Sequence, residues 1–500
     1  MIQMNKGSMM QKHLIYLYLK IGDEMSSAKT VTKNSIFLLI SSIFQKVVSF
    51  LYFTYLARHL PADSVGKYAF SISFSFMFAV FMDFGTNSLL IRKIARSEDD
   101  QNKNVNHVFA LEVILGIIFI LLSSLIINII GYPDITKQLI YISIITVFFD
   151  NLTTTFYATL RGKQELWFES IGYAAYQVIV FVLGIYLVKN NYSLIYLAMP
   201  PLIATLSNFV YSFIIAKVRS GFKFNLNAKY QDLIKIVKES LPFALTGIFT
   251  KIYTSVDSFF LSLFSTDEHI AYYQASYKLV FAMQFIPIAI GSAIFPAFAK
   301  DFKEDKEQLN NTFLKSFKVL SFIAIPLTFG FMILAKDLIL LLYPTYTQSV
   351  EVLQIFSLIF FFMFLNTPVG LILSSCDRQR INTRNTFIAM VVNVILNLIL
   401  IPLIDIKGAA IASLITFIIL FFTNFFEAKK TINFSTSDIL KMVSKILLAS
   451  IIMSIFILLI KTKINFIIAV ILGSGLYFFL MQAFGVFDIK DSIKNLKLKL

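Results

Sequence analysis

The sequence has little cysteine, histidine or charge, and each scarcity excludes a class of protein. A single cysteine, Cys376, excludes an intramolecular disulfide and a cysteine-based metal site. The four histidines are widely scattered and suggest no metal-ligand cluster; they are His13, His59, His107 and His269. Only 15% of the residues are charged, against about 25% in typical soluble chains. The composition therefore argues against a soluble globule.

Apolar residues make up 57% of the chain and form continuous runs along its whole length. Runs of about 20 apolar residues match the length of a transmembrane helix, whereas a transmembrane β-barrel would alternate polar and apolar residues. The pattern predicts an all-α integral membrane protein. We place fourteen spans at roughly 34–57, 66–91, 108–130, 138–160, 168–188, 193–216, 241–263, 271–297, 315–335, 351–374, 385–404, 408–428, 443–460 and 464–485.

Lysine and arginine are unevenly distributed among the predicted loops. About three-quarters of the 44 lie in the two tails and in the loops that follow even-numbered spans. Because basic residues accumulate on the cytoplasmic side, we predict a protein of the cytoplasmic membrane with both termini in the cytoplasm. Topology thus accounts for the net charge of +15, and no nucleic-acid partner is expected. A basic cytoplasmic face instead suits anionic membrane lipids.

The first 33 residues are predicted to be a polar, basic tail. An amphipathic piece at 13–21 is too short to span the bilayer; it either lies on the membrane surface or belongs to a disordered leader. The tail has no pattern of a cleavable signal peptide.

Two segments about two hundred residues apart resemble each other. LPADSVGKYAFSIS (60–73) precedes the second span and LFSTDEHIAYYQASYKL (263–279) the eighth, each with an acidic turn before a helix of small and aromatic residues. Such repeats are typical of transporters whose site lies between two halves. The repeat predicts a cytoplasmic tail (1–33), a six-helix bundle (34–216), a cytoplasmic linker (217–240), a second six-helix bundle (241–428), helices 13 and 14 (429–485) and a cytoplasmic tail (486–500).

Several ionisable residues fall inside the predicted spans. A charge at the bilayer centre costs about 2.5–3.5 kcal/mol on insertion scales, so such residues usually face a cavity or a partner. Polar residues at helical spacing extend the faces of the buried charges on spans 1, 2, 7 and 8, which predicts a central water-filled cavity with a basic lining. The residues concerned are Lys46, Lys251 and Lys278, and the carboxylates Asp83, Asp150 and Asp257.

The three lysines outnumber their expected partners, so we interpret them as an anion-binding set. The carboxylates are either structural partners between helices or ion-coupling groups. Asp257 lies about 240° around the helix from Lys251 and therefore on a different face. Glu112 lies near the inner end of span 3, where the interface can solvate it, and we assign it no role.

A predicted cytoplasmic turn at 373–384 holds Arg378, Arg380 and Arg384. These arginines either reflect topology alone or attract a phosphate group at the cytoplasmic mouth of the cavity. The chain contains no GxxxxGK[ST] motif, so direct ATP hydrolysis is not expected. We predict no metal site and no cofactor.

Five segments in order carry a family resemblance. They are LPADSVGKYAFSIS, DFGTNSLLIRKIAR (83–96), SLPFALTGIFTKIYTSVDSFFLS (240–262), AYYQASYKL (271–279) and VNVILNLILIPLIDIKGAAIASLIT (392–416). Together they resemble the polysaccharide-biosynthesis branch of the multidrug/oligosaccharidyl-lipid/polysaccharide (MOP) exporter superfamily, the Wzx-type O-antigen flippases. The resemblance covers about 34–485 and implies two six-helix bundles around a central cavity.

The resemblance implies a flippase that moves a polyprenyl-diphosphate-linked oligosaccharide across the cytoplasmic membrane by alternating access, for polysaccharide biosynthesis. It implies that Lys46, Lys251 and Lys278 hold the diphosphate. Related lipid II flippases carry cavity arginines on the first two spans, where this chain has Lys46 and Asp83. An H⁺ or Na⁺ gradient would drive the cycle, with Asp83, Asp150 or Asp257 as the coupling carboxylate. Expected partners are lipid-linked oligosaccharide, membrane lipids, a polysaccharide polymerase and glycosyltransferases.

Two other functions remain as alternatives. A drug/cation antiporter of the multidrug and toxin extrusion (MATE) type would prefer an acidic cavity, which the three lysines oppose. A membrane enzyme that modifies glycans would need intramembrane histidine or a large outer loop. The predicted outer loops are short and hold only His59 and His269, so we do not expect an enzyme.

Overall fold

The computed structural model describes residues 37, 39–96, 101–221, 223 and 229–486. The predicted tail 1–33, with its amphipathic piece, and the tail beyond residue 486 lie outside the described residues. Within those ranges the chain is almost wholly helical and has no strand.

The described helices are α1 (Leu39–His59), α2 (Ala62–Phe78), α3 (Val80–Asp83), α4 (Thr86–Arg96), α5 (Gln101–Ile130), α6 (Asp134–Gly162), α7 (Leu166–Lys189), α8 (Met199–Ser220), α9 (Tyr230–Phe264), α10 (Asp267–Ala282), α11 (Phe285–Glu304), α12 (Lys306–Ile333), α13 (Ala335–Leu342), α14 (Ser349–Ser375), α15 (Gln379–Thr431), α16 (Thr436–Ile460) and α17 (Phe466–Ala483). A short 3₁₀ helix (Leu194–Ala198) leads directly into α8.

Twelve helical stretches in the described part of the chain are long and apolar enough to cross a membrane. This confirms the predicted fold class, an all-α multi-pass membrane protein. The total of fourteen spans stays a prediction, because the long helix α15 counts once although it carries two of the predicted spans, and α9, which carries the predicted seventh span, is not among the twelve. The division into two six-helix bundles also stays a prediction.

The long helix α15 is a hairpin. Ile404 and Asp405 have non-helical backbone angles in its middle, with φ 53° at Asp405. Asn385 donates a hydrogen bond to Asn424 at 2.9 Å, although 39 residues of straight helix would separate them by about 58 Å. A Cβ on Gly408 would lie 2.3 Å from a backbone carbonyl oxygen of the facing arm, so only glycine fits beside this bend.

The predicted second span is broken in its inner half. Phe84 and Gly85 adopt positive φ values of 42° and 74° between α3 and α4. Asp83 stabilises the break, because its Oδ1 accepts hydrogen bonds from the Asn87 backbone at 3.2 Å and from Asn87 Nδ2 at 2.9 Å. A carboxylate that satisfies a free backbone donor at a helix start is a common cap.

The two helices of the sequence repeat, α2 and α10, pack against each other. A Cβ on Gly66 would lie 1.7 Å from the Asp267 carbonyl oxygen, and Lys67 Nζ lies 3.5 Å from the Asp267 carboxylate. Nearby, Arg58 Nε donates to the Leu342 carbonyl at 2.8 Å. These contacts join the two predicted bundles at the end that the topology predicts to face outward.

Ion pairs join the chain at the opposite end. Lys93 Nζ lies 2.6 Å from Glu239, and Lys103 Nζ lies 3.7 Å from Asp232. Both carboxylates belong to the first turns of α9, which begins inside the predicted linker 217–240. The last part of that linker is therefore a helix docked onto α4 and α5.

Candidate functional site

A cavity of about 310 Å³ lies between the two predicted bundles. Helices α1, α2, α6, α7 and α8 form most of its wall, and α10 contributes Gln274 and Lys278 from the other side. Gln45 and Ser49, on the polar face predicted for the first span, are both in the lining. Aromatic rings interleaved with hydroxyl and amide groups suit a ligand that is itself partly polar.

A second cavity of about 300 Å³ adjoins the first. The two share Phe76, Val147 and Asp150. Asp83 and Lys251 also line the second cavity. The structure thus brings four of the six predicted membrane charges, from α3, α6, α9 and α10, to one pair of neighbouring cavities.

Lys251 and Lys278 reach from the second bundle to aromatic rings of the first. Lys251 Nζ lies 4.5 Å from the centre of the Phe76 ring, and Lys278 Nζ lies 5.9 Å from that of Phe53. Within the described part of the chain, neither ammonium group forms an ion pair with a carboxylate. A cation–π contact stabilises a lysine without neutralising it, so both positive charges remain available to an anion.

Lys46 lies close to these two lysines but outside the cavity walls. It is exposed and is not among the residues that line either cavity. It nevertheless interacts electrostatically with both Lys251 and Lys278. Three like charges near one another repel, and a ligand with several negative charges would offset that repulsion.

Asp150 and Asp83 make the lining mixed in charge rather than uniformly basic. Asp150 lines both cavities and interacts electrostatically with Lys251. Asp83 lines the second cavity at the helix break between α3 and α4. The sequence predicted a basic lining because it counted Lys46 among the lining residues. A coupling role for either carboxylate stays a prediction.

Asp257 lies in a different environment, buried inside the second bundle with 3% of its surface exposed. It accepts hydrogen bonds from Tyr273 at 2.5 Å, from Asn397 at 2.7 Å and from the Ser413 hydroxyl. It lines neither cavity, which agrees with the predicted separation of its face from that of Lys251. The carboxylate ties α9 and α10 to both arms of α15.

Replacing Asp257 with alanine is expected to destabilise the protein. Three buried donors, on Tyr273, Asn397 and Ser413, would lose their acceptor, and each unsatisfied buried group costs about 1–3 kcal/mol. Thermal unfolding in detergent should show a clearly lower midpoint for Asp257→Ala. Asp257→Asn, which keeps the shape and one acceptor oxygen, should fall in between. An alanine variant as stable as the wild type would contradict a structural role.

The three predicted arginines of the 373–384 turn do not line either cavity. Arg380 and Arg384 are exposed. Arg384 donates to Glu427 at 3.1 Å and to Asn385 at 3.2 Å, so its charge already has a partner. A phosphate-attracting role for Arg378 and Arg380 stays a prediction.

Glu112 is the site residue that the sequence reasoning missed. We expected the membrane interface to solvate it, but the structure buries it completely, so that interpretation is wrong. Its carboxylate accepts from Thr86 at 2.6 Å and from the Thr155 hydroxyl. Those partners lie 26 and 43 residues away in the chain, and only helix packing brings them together.

Comparisons with known proteins extend this description. The family model for polysaccharide biosynthesis proteins matches residues 31–302, and the MatE model matches residues 242–399. The probable low-salt glycan biosynthesis flippase Agl15 of Haloferax volcanii is 23% identical over 395 residues, which are 77% of this chain and 81% of that protein. The uncharacterized membrane protein MJ1068 of Methanocaldococcus jannaschii is 23% identical over 503 residues, with 93% and 97% covered.

Solved structures show the same fold. The lipid II flippase MurJ in its inward closed conformation matches with a TM-score of 0.76 and 19% identity, over 90% of this chain and 98% of that one. An inward-facing MATE family multidrug transporter matches with a TM-score of 0.61 and 14% identity, over 80% and 95%. Since the first family model spans more than half of the chain, the protein belongs to the polysaccharide biosynthesis family of the MOP superfamily.

Proposed function

We propose that the protein flips a polyprenyl-diphosphate-linked oligosaccharide across the cytoplasmic membrane during polysaccharide biosynthesis. The observation that carries this proposal is the pair of lysines in the walls of two adjoining cavities, Lys251 and Lys278, neither of which has a carboxylate within ion-pair distance among the described residues. Family membership and the likeness to flippases support it. The same likenesses indicate a transporter rather than an enzyme.

The cavity chemistry matches the two ends of such a head group. A diphosphate carries several negative charges on compact groups, and lysine ammonium groups bind phosphate as point charges. The tyrosines, serines and amides of the first cavity offer hydroxyl partners and ring faces for a sugar. The prenyl chain needs no polar site, so it stays in the lipid while the head group crosses.

The route follows from the predicted topology. Both termini are cytoplasmic in this proposal, and the head group enters the cavity from the cytoplasmic side. Rocking of 34–216 against 241–428 then exposes it outside. An H⁺ or Na⁺ gradient resets the cycle, with Asp83, Asp150 or Asp257 as the coupling group. A polymerase and glycosyltransferases supply and consume the glycan.

Vesicles reconstituted with the purified protein test the proposal. The probe is a polyprenyl-diphosphate-linked disaccharide with a fluorophore on the sugar, and dithionite outside the vesicles reports the fraction that reaches the outer leaflet. We expect faster flipping than in protein-free vesicles and no acceleration for a fluorescent phosphatidylcholine. Equal acceleration of both lipids would indicate unspecific scrambling, and no acceleration of the glycan lipid would overturn the proposal.

A further inference from the structure

Glu112 is a fully buried carboxylate without a cation beside it. Its exposed fraction is 0%, as are those of Thr86 and Thr155, which surround it. Among the described residues, no lysine, arginine or histidine lies within ion-pair distance of Glu112. An ionised carboxylate is costly to bury without such a partner, and a group in this position usually takes up a proton instead.

The Thr86 hydroxyl has more oxygen neighbours than it has hydrogens to donate. Its hydroxyl oxygen lies 2.6 Å from Glu112 Oε1, 3.2 Å from Asp83 Oδ1 and in contact with the Asp83 carbonyl oxygen. A hydroxyl carries a single hydrogen. With Glu112 ionised, at least one close pair of oxygens would therefore have no hydrogen between them. A proton on Glu112 relieves the conflict, because Glu112 then donates to Thr86 and Thr86 shares its own hydrogen between the two Asp83 oxygens.

The same geometry favours a proton over a metal ion. The 2.6 Å separation between Thr86 Oγ1 and Glu112 Oε1 falls in the usual range for an O–H···O hydrogen bond. Within the described part of the chain, no group of three or more histidine, cysteine, aspartate or glutamate side chains could hold a metal ion.

A polar route leads from Glu112 to the second cavity. Asp83 lines that cavity together with Asn87 and Asn151. Asn87 is 5% exposed, and its Oδ1, like Asn151 Nδ2, is buried without a hydrogen-bond partner among the described residues. Such groups beside a cavity usually bind water. Water in the cavity would reach Asp83, and the Thr86 hydroxyl connects Asp83 to Glu112.

We propose that Glu112, Thr86 and Asp83 form a proton-binding site in the first bundle, with Glu112 as the group that holds the proton. For release, Glu112 passes its proton to the Thr86 oxygen while Thr86 passes its own hydrogen to Asp83. Asp83 then gives a proton to water in the cavity, and Thr86 ends unchanged. The role of this site in transport rests on the flippase function proposed above.

Loss of the proton from Glu112 would change the balance of charges beside the second cavity. Asp83 of α3 interacts electrostatically with Glu112, and Arg161 of α6 with Asp83. Asp150 of α6 and Lys251 of α9 line the same cavity as Asp83. Once the proton leaves, two carboxylates of like charge face each other beside the helix break between α3 and α4. Their repulsion pushes α5 away from the break, which couples the proton to the cavity wall.

Infrared difference spectroscopy of the purified protein tests the site without transport. A protonated carboxyl group absorbs apart from a carboxylate, and we expect such a band in the wild type. Glu112→Gln should remove it. Asp257→Asn is the matched control, because Asp257 is also buried but accepts hydrogen bonds from three separate donors, Tyr273, Asn397 and Ser413, and it should keep the band. A band that survives Glu112→Gln, or that is absent from the wild type, would overturn the proposal.

The vesicle assay tests the coupling. An imposed pH gradient should raise the wild-type flipping rate several-fold over the rate without a gradient. This ratio of the two rates should fall to about one in Glu112→Gln and in Thr86→Val. Addition of Na⁺ should not restore it. A full gradient response in both variants would refute the coupling role. A wild type that flips nothing would instead count against the proposed function, while the infrared result still decides whether Glu112 holds a proton.

Discussion

Replacing Lys251 or Lys278 with alanine is expected to lower the flipping rate of the glycan lipid about tenfold to a hundredfold. Each ammonium group lines a cavity and has no carboxylate within ion-pair distance among the described residues, so a diphosphate would be its principal ionic contact. Hydrogen bonds to charged groups contribute about 1.5–3 kcal/mol, and about 1.4 kcal/mol corresponds to a factor of ten. The rate per reconstituted molecule measures the effect. The double variant should not exceed the rate of protein-free vesicles.

Thermal unfolding distinguishes a lower flipping rate caused by lost diphosphate binding from one caused by misfolding. Lys278 interacts with the like charge of Lys46, so Lys278→Ala should leave the thermal midpoint unchanged or raise it, whereas Lys251→Ala also removes the attraction to Asp150 and should lower it only slightly. Lys461→Ala is a matched control, because that lysine is also largely buried but pairs with Asp337 at 2.7 Å, outside the cavities. It should lose stability and keep its flipping rate per folded molecule. Normal flipping by both cavity variants would refute the diphosphate site.

Replacing lysine with arginine distinguishes the effect of the positive charge from that of the side-chain shape. Arginine binds a phosphate through two parallel hydrogen bonds, whereas lysine acts as a point charge. Lys251→Arg keeps the charge and the position over Phe76, so it should retain most of the activity. A loss as large as that of Lys251→Ala would mean that the fit of the side chain, and not its charge, limits flipping.

The sequence could predict features that depend on one helix at a time. The predicted boundary between spans 11 and 12 falls at the bend of α15, because Pro402, Asp405 and Gly408 cluster there between two apolar runs. Helical spacing alone separated Asp257 from Lys251. Both outcomes follow from periods and breaks that are visible within some twenty residues.

The sequence could not predict which side chains meet across helices. The partners of Asp257 come from Asn397 and Ser413, 140 and 156 residues further along the chain. The position of Glu112 along its span can be inferred from the sequence, and that position is near the membrane interface. The packing of α4 and α6 around it cannot be inferred in the same way. Lys46 failed for a different reason. Gln45 and Ser49 of its predicted face do line the first cavity, but how much of the face the cavity includes depends on the neighbouring helices.

Replacing Gly66 with alanine is expected to open the predicted outer end of the transporter. The new Cβ would lie 1.7 Å from the Asp267 carbonyl oxygen, and a backbone atom in a helix cannot move aside as a flexible side chain does. The helices α2 and α10 must therefore separate. Overpacking of this kind costs about 1–3 kcal/mol, which shifts a two-state equilibrium about fivefold to a hundredfold toward the open form.

Labelling of a cysteine inside the cavity reports that shift. Cys376→Ser removes the single native cysteine, and Ser73→Cys places a thiol in the wall of the first cavity, beside Gln274 of α10. A membrane-impermeant maleimide added outside should then label the Gly66→Ala protein at least several times faster than its parent. Flipping should slow, because alternating access requires the outer end to close again in every cycle.

The control is Gly370→Ala in the same background. Gly370 also lies inside a helix, but a Cβ there would meet nothing within 4 Å, so both substitutions gain the same helix propensity and only one creates an overlap. Gly370→Ala should label as slowly as the parent. If Gly66→Ala does so too, the contact between α2 and α10 does not close the cavity, and the barrier to the outside lies at another layer, for which the contact of Arg58 with Leu342 is the nearest candidate.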